Sequence, residues 1–169
     1  MILVIKDNWK QLLNKIFKED DLVAIDYFNE AINIVEDQSL KASYYLRLSY
    51  AYQMQGLYTK ARSAANLAAD LKPEWGEPYL MIGDIYVSAA KTCGSSNLER
   101  GAVFWVAVDM FIKAKKIDDL LTEKANKRIS TYSKYFPSKE DCFFNDVESG
   151  SVYKVGCWIN KSTKVRTRD

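Results

Sequence analysis

The sequence predicts an all-α protein closed by a small β-hairpin, and three observations carry that prediction. A pattern of aromatic and small residues returns in register after 34 positions, the mark of stacked helical units. Seven glycines and three prolines in 169 residues are few, which suits long helices better than a strand-rich sandwich. After Pro137 the texture changes, and apolar residues alternate singly as they do along strands.

The elements follow in order. Trp9-x-x-Leu12-Leu13-x-x-Ile16 reads as one helix, and Ala24-x-x-x-Phe28 with Ala31 and Ile34 as its partner, joined through Lys18-Glu19-Asp20-Asp21. The next pair is the clearest: Tyr45-x-x-Leu48-Ser49-x-x-Tyr52, then Gly56, Tyr58, Ala61, Ala65, Ala68, Leu71 and Pro73. Spacings of four and three put Ala61, Ala65 and Ala68 on one helix face. Methyl groups there let the preceding helix approach closely, and Tyr45, Tyr52 and Tyr58 fill the larger spaces between layers. Gly56 permits the tight turn, and Pro73 stops the second helix because it cannot continue the hydrogen-bond ladder.

Tyr79-x-x-Ile82-Gly83-x-x-Tyr86 falls in register with the preceding pair and opens a third. Its partner carries Phe104, Ala107-x-x-x-Phe111, Ala114 and Ile117, with 12 extra residues inserted around "KTCGSSNLERG". A lone amphipathic helix, "TEKANKRISTYSKYF", turns Ala125, Ile129, Tyr132 and Phe136 to one side and ends at Pro137. "SKEDCFFNDVESG" reads as a loop. Beyond it Val152, Lys154, Gly156 and Trp158 point one way along a strand, and Tyr153, Val155, Cys157 and Ile159 the other. Asn160-Lys161-Ser162 is the expected turn into a second strand from Thr163 to Thr167. Two strands alone are marginal, so the hairpin should pack on the terminal helices through Trp158 and Phe143-Phe144.

This register resembles the tetratricopeptide repeat, whose pattern is large-x-x-Leu-Gly-x-x-Tyr on a first helix, Ala-x-x-x-Phe then Ala on a second, and a closing proline. The resemblance covers residues 9 to 136. It implies a right-handed α-α superhelix over 5–137, with units near 5–38, 42–75 and 76–121, an insertion near 91–101, and a capping helix at 122–136. Residues 138–169 then form a loop and hairpin. The competing reading is an unrelated helical bundle.

The ending is also similar to a group of bacterial tetratricopeptide proteins, often exported to the envelope, that finish in "FPSKED-x-FF … Y-x-VG-x-WIN". It matches here at residues 136–141, Phe143-Phe144, Tyr153, Val155-Gly156 and 158–160. That likeness favours a periplasmic or envelope location, with the cytoplasm left open.

As function, the resemblance implies a non-catalytic scaffold that binds a peptide or protein in a concave groove. Its wall would be Lys10 and Asn14 in the first unit, then Arg47, Tyr50, Gln53 and Met54. Met81 and Asp84 follow, with Lys127 and Arg128 on the last helix. Any of these could equally be a solvated helix face. A subset of the family clamps a terminal carboxylate with lysine and asparagine. Arg47, Tyr50, Met81 and Asp84 stand at the matching positions here, and Asp84 would repel a carboxylate, so that clamp is not expected.

Composition narrows the alternatives. A 48% apolar, 27% charged chain is that of a soluble globular protein, and a net charge of +2 marks neither a nucleic-acid binder nor an acidic solvated chain. Histidine is absent, which removes the commonest base near neutral pH and the commonest metal ligand. Cys93, Cys142 and Cys157 lack C-x-x-C spacing, so no zinc site is expected, and one disulfide among them stays open. Buried, inert thiols are the plainer reading.

For an enzyme, the candidates would be the acid pairs at Glu19-Asp20-Asp21, Asp118-Asp119 and Glu140-Asp141, or Cys93 if a loop exposed it. The acids coincide with helix junctions, where such residues cap and solvate. No catalysis, cofactor or metal is expected. Lys161, Lys164, Arg166 and Arg168, with Lys113, Lys115, Lys116, Lys124, Lys127 and Arg128 upstream, offer an alternative: a basic tail for nucleic acid or an acidic membrane surface.

The start, "MILVIKDNWK", shows no basic leader or small-residue cleavage site, so it does not read as a signal peptide, and no stretch is apolar enough to span a bilayer. The apolar residues before Asp7 read as the stub of a helix from a longer parent. Self-association stays open.

Overall fold

The structure, a computed structural model, describes residues 21–168. Lys10, Asn14 and the helix expected at 9–16 lie outside the described residues. Within them the chain is mostly helical, with a two-stranded antiparallel sheet at its end. The helices are α1 (Asp21–Ile34), α2 (Gln38–Met54), α3 (Tyr58–Leu71), α4 (Glu77–Ala89), α5 (Asn97–Ile117), α6 (Thr122–Tyr132) and the short α7 (Lys139–Phe143); the strands are β1 (Val152–Val155) and β2 (Lys161–Lys164). Each helix from α1 to α5 packs on its successor, and α2 also touches α4. Connections this short return the chain antiparallel each time.

On α1 the buried stripe is Ala24, Ile25, Phe28 and Ile32. Ile34, expected on that side, is 62% exposed. The ten-residue step from Ala24 is about 2.8 helical turns, which carries it off the stripe. Helix α2 starts at Asp37, whose side chain accepts from the Leu40 amide at 2.7 Å. It ends in a Schellman turn. Gly56 sits at φ +72°, its amide donates to Gln53 O at 2.9 Å, and the Leu57 amide donates to Tyr52 O at 2.9 Å. The glycine does here what its place in the repeat suggested.

Helix α3 buries Ala61, Ala64, Ala65, Ala68 and Ala69. Ser49, where the repeat pattern has glycine, is fully buried against it and donates its hydroxyl to Ala61 O at 2.7 Å. A small residue is needed there, and the hydrogen bond satisfies its one polar atom. Two apolar clusters meet on α3. Ala64 belongs with Phe28, Leu48 and Ala51, while Ala65 belongs with the larger downstream core around Tyr86, Trp105 and Phe111.

Glycine matters again at Gly83, where a Cβ would run into the Phe111 ring. Helix α5 begins with a capping box, Ser96 and Glu99, and is buried almost all round. Its hydrogen-bonded serines hold the Glu99 carboxyl below the usual range. The residues expected to form a loop after Pro137 include α7, opened by a second capping box in which Ser138 and Asp141 bond reciprocally.

The hairpin differs from expectation in register and in seat. Val155 pairs with Lys161 and Val152 with Lys164, so residues 156–160 form the turn and β2 starts inside the expected turn. Cys157 and Asn160 take positive φ of 51° and 46° there, which no strand tolerates. The expected facing of Gly156, Cys157, Trp158 and Ile159 along a strand therefore does not hold.

Trp158 packs on the middle of the array: it stacks on Tyr58 at 6.2 Å and meets Tyr86 at 5.7 Å, under the Arg62 guanidinium at 4.9 Å. Phe143 and Phe144 remain exposed, so they do not anchor the hairpin. The rest of the seat is α5. Trp105 Nε1 donates to Arg166 O at 2.6 Å, Arg166 donates back to Trp105 O at 2.7 Å, and Arg166 pairs with Asp109 at 2.8 Å. Cys157 is bonded to Cys93, which is buried in the turn between α4 and α5, so the thiol considered for exposure in a loop is neither free nor exposed. Cys142 is the free cysteine; burial pushes its thiol up, which keeps it protonated and inert near neutral pH.

Two outcomes follow from this packing. Gly83→Ala would raise helix stability at a solvated site, yet here it should cost about 1–3 kcal/mol in urea unfolding through overpacking against Phe111. Phe111→Leu in the same chain should recover part of that loss. Reducing the Cys93–Cys157 bridge should lower unfolding free energy by about 2–4 kcal/mol, since it closes a long loop in the unfolded chain; an unchanged urea midpoint with dithiothreitol would refute this.

Candidate functional site

Helices α2, α4 and α6 turn side chains toward one another. Between them lies a cleft of about 420 Å³ whose walls include Arg47 and Tyr50 from α2, Met81 and Asp84 from α4, and Arg128 from α6. It shares Tyr50, Asp84 and Arg128 with a more open trough of about 730 Å³ that adds Gln53, Met54 and Lys127. All eight described residues expected on the concave wall thus line one of these two adjoining spaces. Lys10 and Asn14 fall outside the described residues.

The chemistry of the groove is more balanced than the sequence suggested. Arg128 lies across Asp84 as a fork, with Nε to Oδ1 at 2.9 Å and Nη2 to Oδ2 at 2.8 Å. The Asp84 carboxylate in turn holds the guanidinium above its ordinary range. About a quarter of each side chain stays accessible. Asp84 therefore does not present an unpaired negative charge, and the expected repulsion of a carboxylate at this position loses its basis. Two turns earlier on α4, Glu77 is ion-paired with Lys124 at 2.8 Å.

Arg47, further along the cleft, is half-buried, and loss of solvation lowers its pKa. Gln53 is committed elsewhere: its amide donates to Ser88 Oγ at 2.9 Å, whose hydroxyl returns to Asp84 O at 3.0 Å. This relay ties α2 to α4 and fixes the floor of the trough. Tyr132 closes its far side, its phenol pushed up first by burial and then by the Asp84 charge. Tyr50 and Met54 leave ring and thioether surface exposed, 42% and 56%.

Trp75 and Glu77 also line these spaces without being marked by the sequence, and so does Lys124, which the sequence offers only as part of a basic surface. A signal existed for Glu77, because positions 77, 81, 84 and 88 follow one helix stripe. Trp75 sits in a turn, where helical register predicts nothing. Of the acids weighed for catalysis, Asp118 caps by accepting from the Leu120 amide at 3.2 Å and Asp141 closes its box with Ser138, while Glu19 and Asp20 lie outside the described residues. Among the described residues no group of acids and cysteines is set to hold a metal. Of the basic residues considered as a nucleic-acid or membrane surface, Lys124, Arg128 and Arg166 are ion-paired.

No family model, curated protein or solved structure matches this chain.

A double-mutant cycle with Asp84→Asn and Arg128→Gln should return a coupling energy of about 1–2 kcal/mol in chemical unfolding. Strictly additive losses would mean that the fork does not tie α4 to α6.

Proposed function

We propose that this chain is a short tetratricopeptide-type solenoid that holds a peptide or protein partner in the groove between α2, α4 and α6, without catalysis or a cofactor. The observation that carries the reading is convergence. Side chains from three alternate helices, spread from residue 43 to residue 132, line two adjoining spaces that share Tyr50, Asp84 and Arg128. Exposed Tyr50 and Met54 supply adaptable apolar contact, and a side chain inserted beside Trp75 and Met81 would be desolvated there.

Charge refines the partner. Among the described residues lining these spaces, Lys124, Lys127 and Arg128 stand against Glu77 and Asp84, and each of those carboxylates is already paired with one of them. The surplus is positive, which favours a segment carrying Asp or Glu beside an aromatic or aliphatic anchor. A non-catalytic role agrees with a chain that has no histidine and whose free thiol is buried. The disulfide agrees with folding in an oxidising compartment such as the envelope.

A peptide array screened with the full chain should select acidic segments with one large apolar residue, and Arg47→Ala/Tyr50→Ala should weaken the best of them about tenfold or more. Circular dichroism on the variant must first match the parent, because both side chains also make contacts within the fold. Equal retention by both proteins would remove the groove as the binding surface.

A further inference from the structure

A second cleft, of about 490 Å³, shares no lining residue with the groove. It lies where the hairpin turn comes down on α3, α4 and α5. Its volume falls within the range usual for small-molecule sites, and junctions between structural units are where such sites concentrate.

Three cations from three separate elements meet around it: Arg62 on α3, Lys113 on α5 and Lys161 on β2. The one carboxylate in its wall, Asp109, is already taken. It pairs with Arg166 at 2.8 Å and accepts the Thr163 hydroxyl. Among the described residues neither Lys113 nor Lys161 has an ion-pair partner. Gathering like charges costs energy, and water screens it poorly where one wall of the site is protein. Here that wall is apolar, because Ile82, Tyr86 and Ile159 are buried beneath the cations.

Two of the cations are also positioned in advance. Arg62 Nη1 donates to Ile159 O at 2.9 Å while its guanidinium lies over Trp158, and the Lys113 ammonium sits 4.1 Å from the centre of the Tyr79 ring. The bridge from Cys157 to Cys93 fixes the turn that carries Asn160. Asn66, Asn160 and Ser162 add neutral donors and acceptors at the rim.

We propose that this cleft is a binding site for a small anion, which it grips by a carboxylate or phosphate group set between Arg62, Lys113 and Lys161. The site is independent of the peptide groove. Its occupancy would stabilise the seating of the hairpin, because it links β2 to α3 and α5 through a shared counter-charge.

The test is a ¹H–¹⁵N titration of the full oxidised chain, with inorganic phosphate in one arm and succinate in the other, ionic strength held constant with sodium chloride. Saturable shifts at the Trp158 indole and at the Asn66 and Asn160 side-chain amides are expected in at least one arm. The arm that saturates names the group recognised. Lys113→Gln/Lys161→Gln should weaken that binding about tenfold or more. Both lysines are exposed, so the variant should keep its melting temperature; Lys113→Glu alone serves as a second variant, expected to abolish saturation. No saturable shift in either arm, shifts spread evenly over surface lysines, or unchanged affinity in both variants would each overturn the proposal.

Discussion

Helix α5 has apolar residues on every side, and a helix of that kind must be covered on every side. Much of the chain after residue 76 does this. Gly83 admits the Phe111 ring so that α4 closes one flank. Tyr132 and Tyr135 lie on Phe104, at 6.1 and 5.1 Å, to close another through α6 and the turn after it. Pro137 comes close enough to Gly101 that a methyl group would not fit between them. The hairpin takes the remaining face, where Trp105 and Arg166 exchange hydrogen bonds. A two-stranded sheet is marginal on its own, and it is ordered here because α5 needs a lid.

The groove is a by-product of the same constraint. Since α4 and α6 both pack on α5, they lie beside each other, and Asp84 and Arg128 come within reach although 44 residues separate them. Helix α2 is brought to the same wall by another route. The alanines of α3 keep both neighbours close and let one helix serve two cores, with Ala64 in one and Ala65 in the other. Ser49 shows how tight that approach is: its side chain is fully buried and bonded across the pair.

Local signals were legible in the sequence and remote ones were not. The Gly56 turn and the alanine face of α3 depend on a few neighbouring residues, so their spacing announces them. The groove residues from Arg47 to Arg128 follow from the register of the resemblance, but their pairing does not, because nothing local says that Asp84 will meet Arg128. The hairpin turn was misplaced because alternation alone cannot show that Cys157 leaves the strand to reach Cys93. Trp158 anchors the hairpin as its sequence context suggests, but on a different seat from the terminal helices. Its partners Tyr58 and Tyr86 lie in the middle of the array, and only the fold selects them. The Ser138–Asp141 box was a readable helix start that the surrounding polar residues obscured.

The bridge between Cys93 and Cys157 spans 64 residues of chain, and the solvated stretch from Phe143 to Gly150 lies inside that span. Backbone cleavage in that stretch would not release the hairpin. Both fragments would remain one molecule, with the hairpin held near its seat at a millimolar-scale local concentration, where Trp158 and Arg166 can dock again after every excursion. The oxidised protein is thus built to keep its shape after a proteolytic nick in this exposed loop.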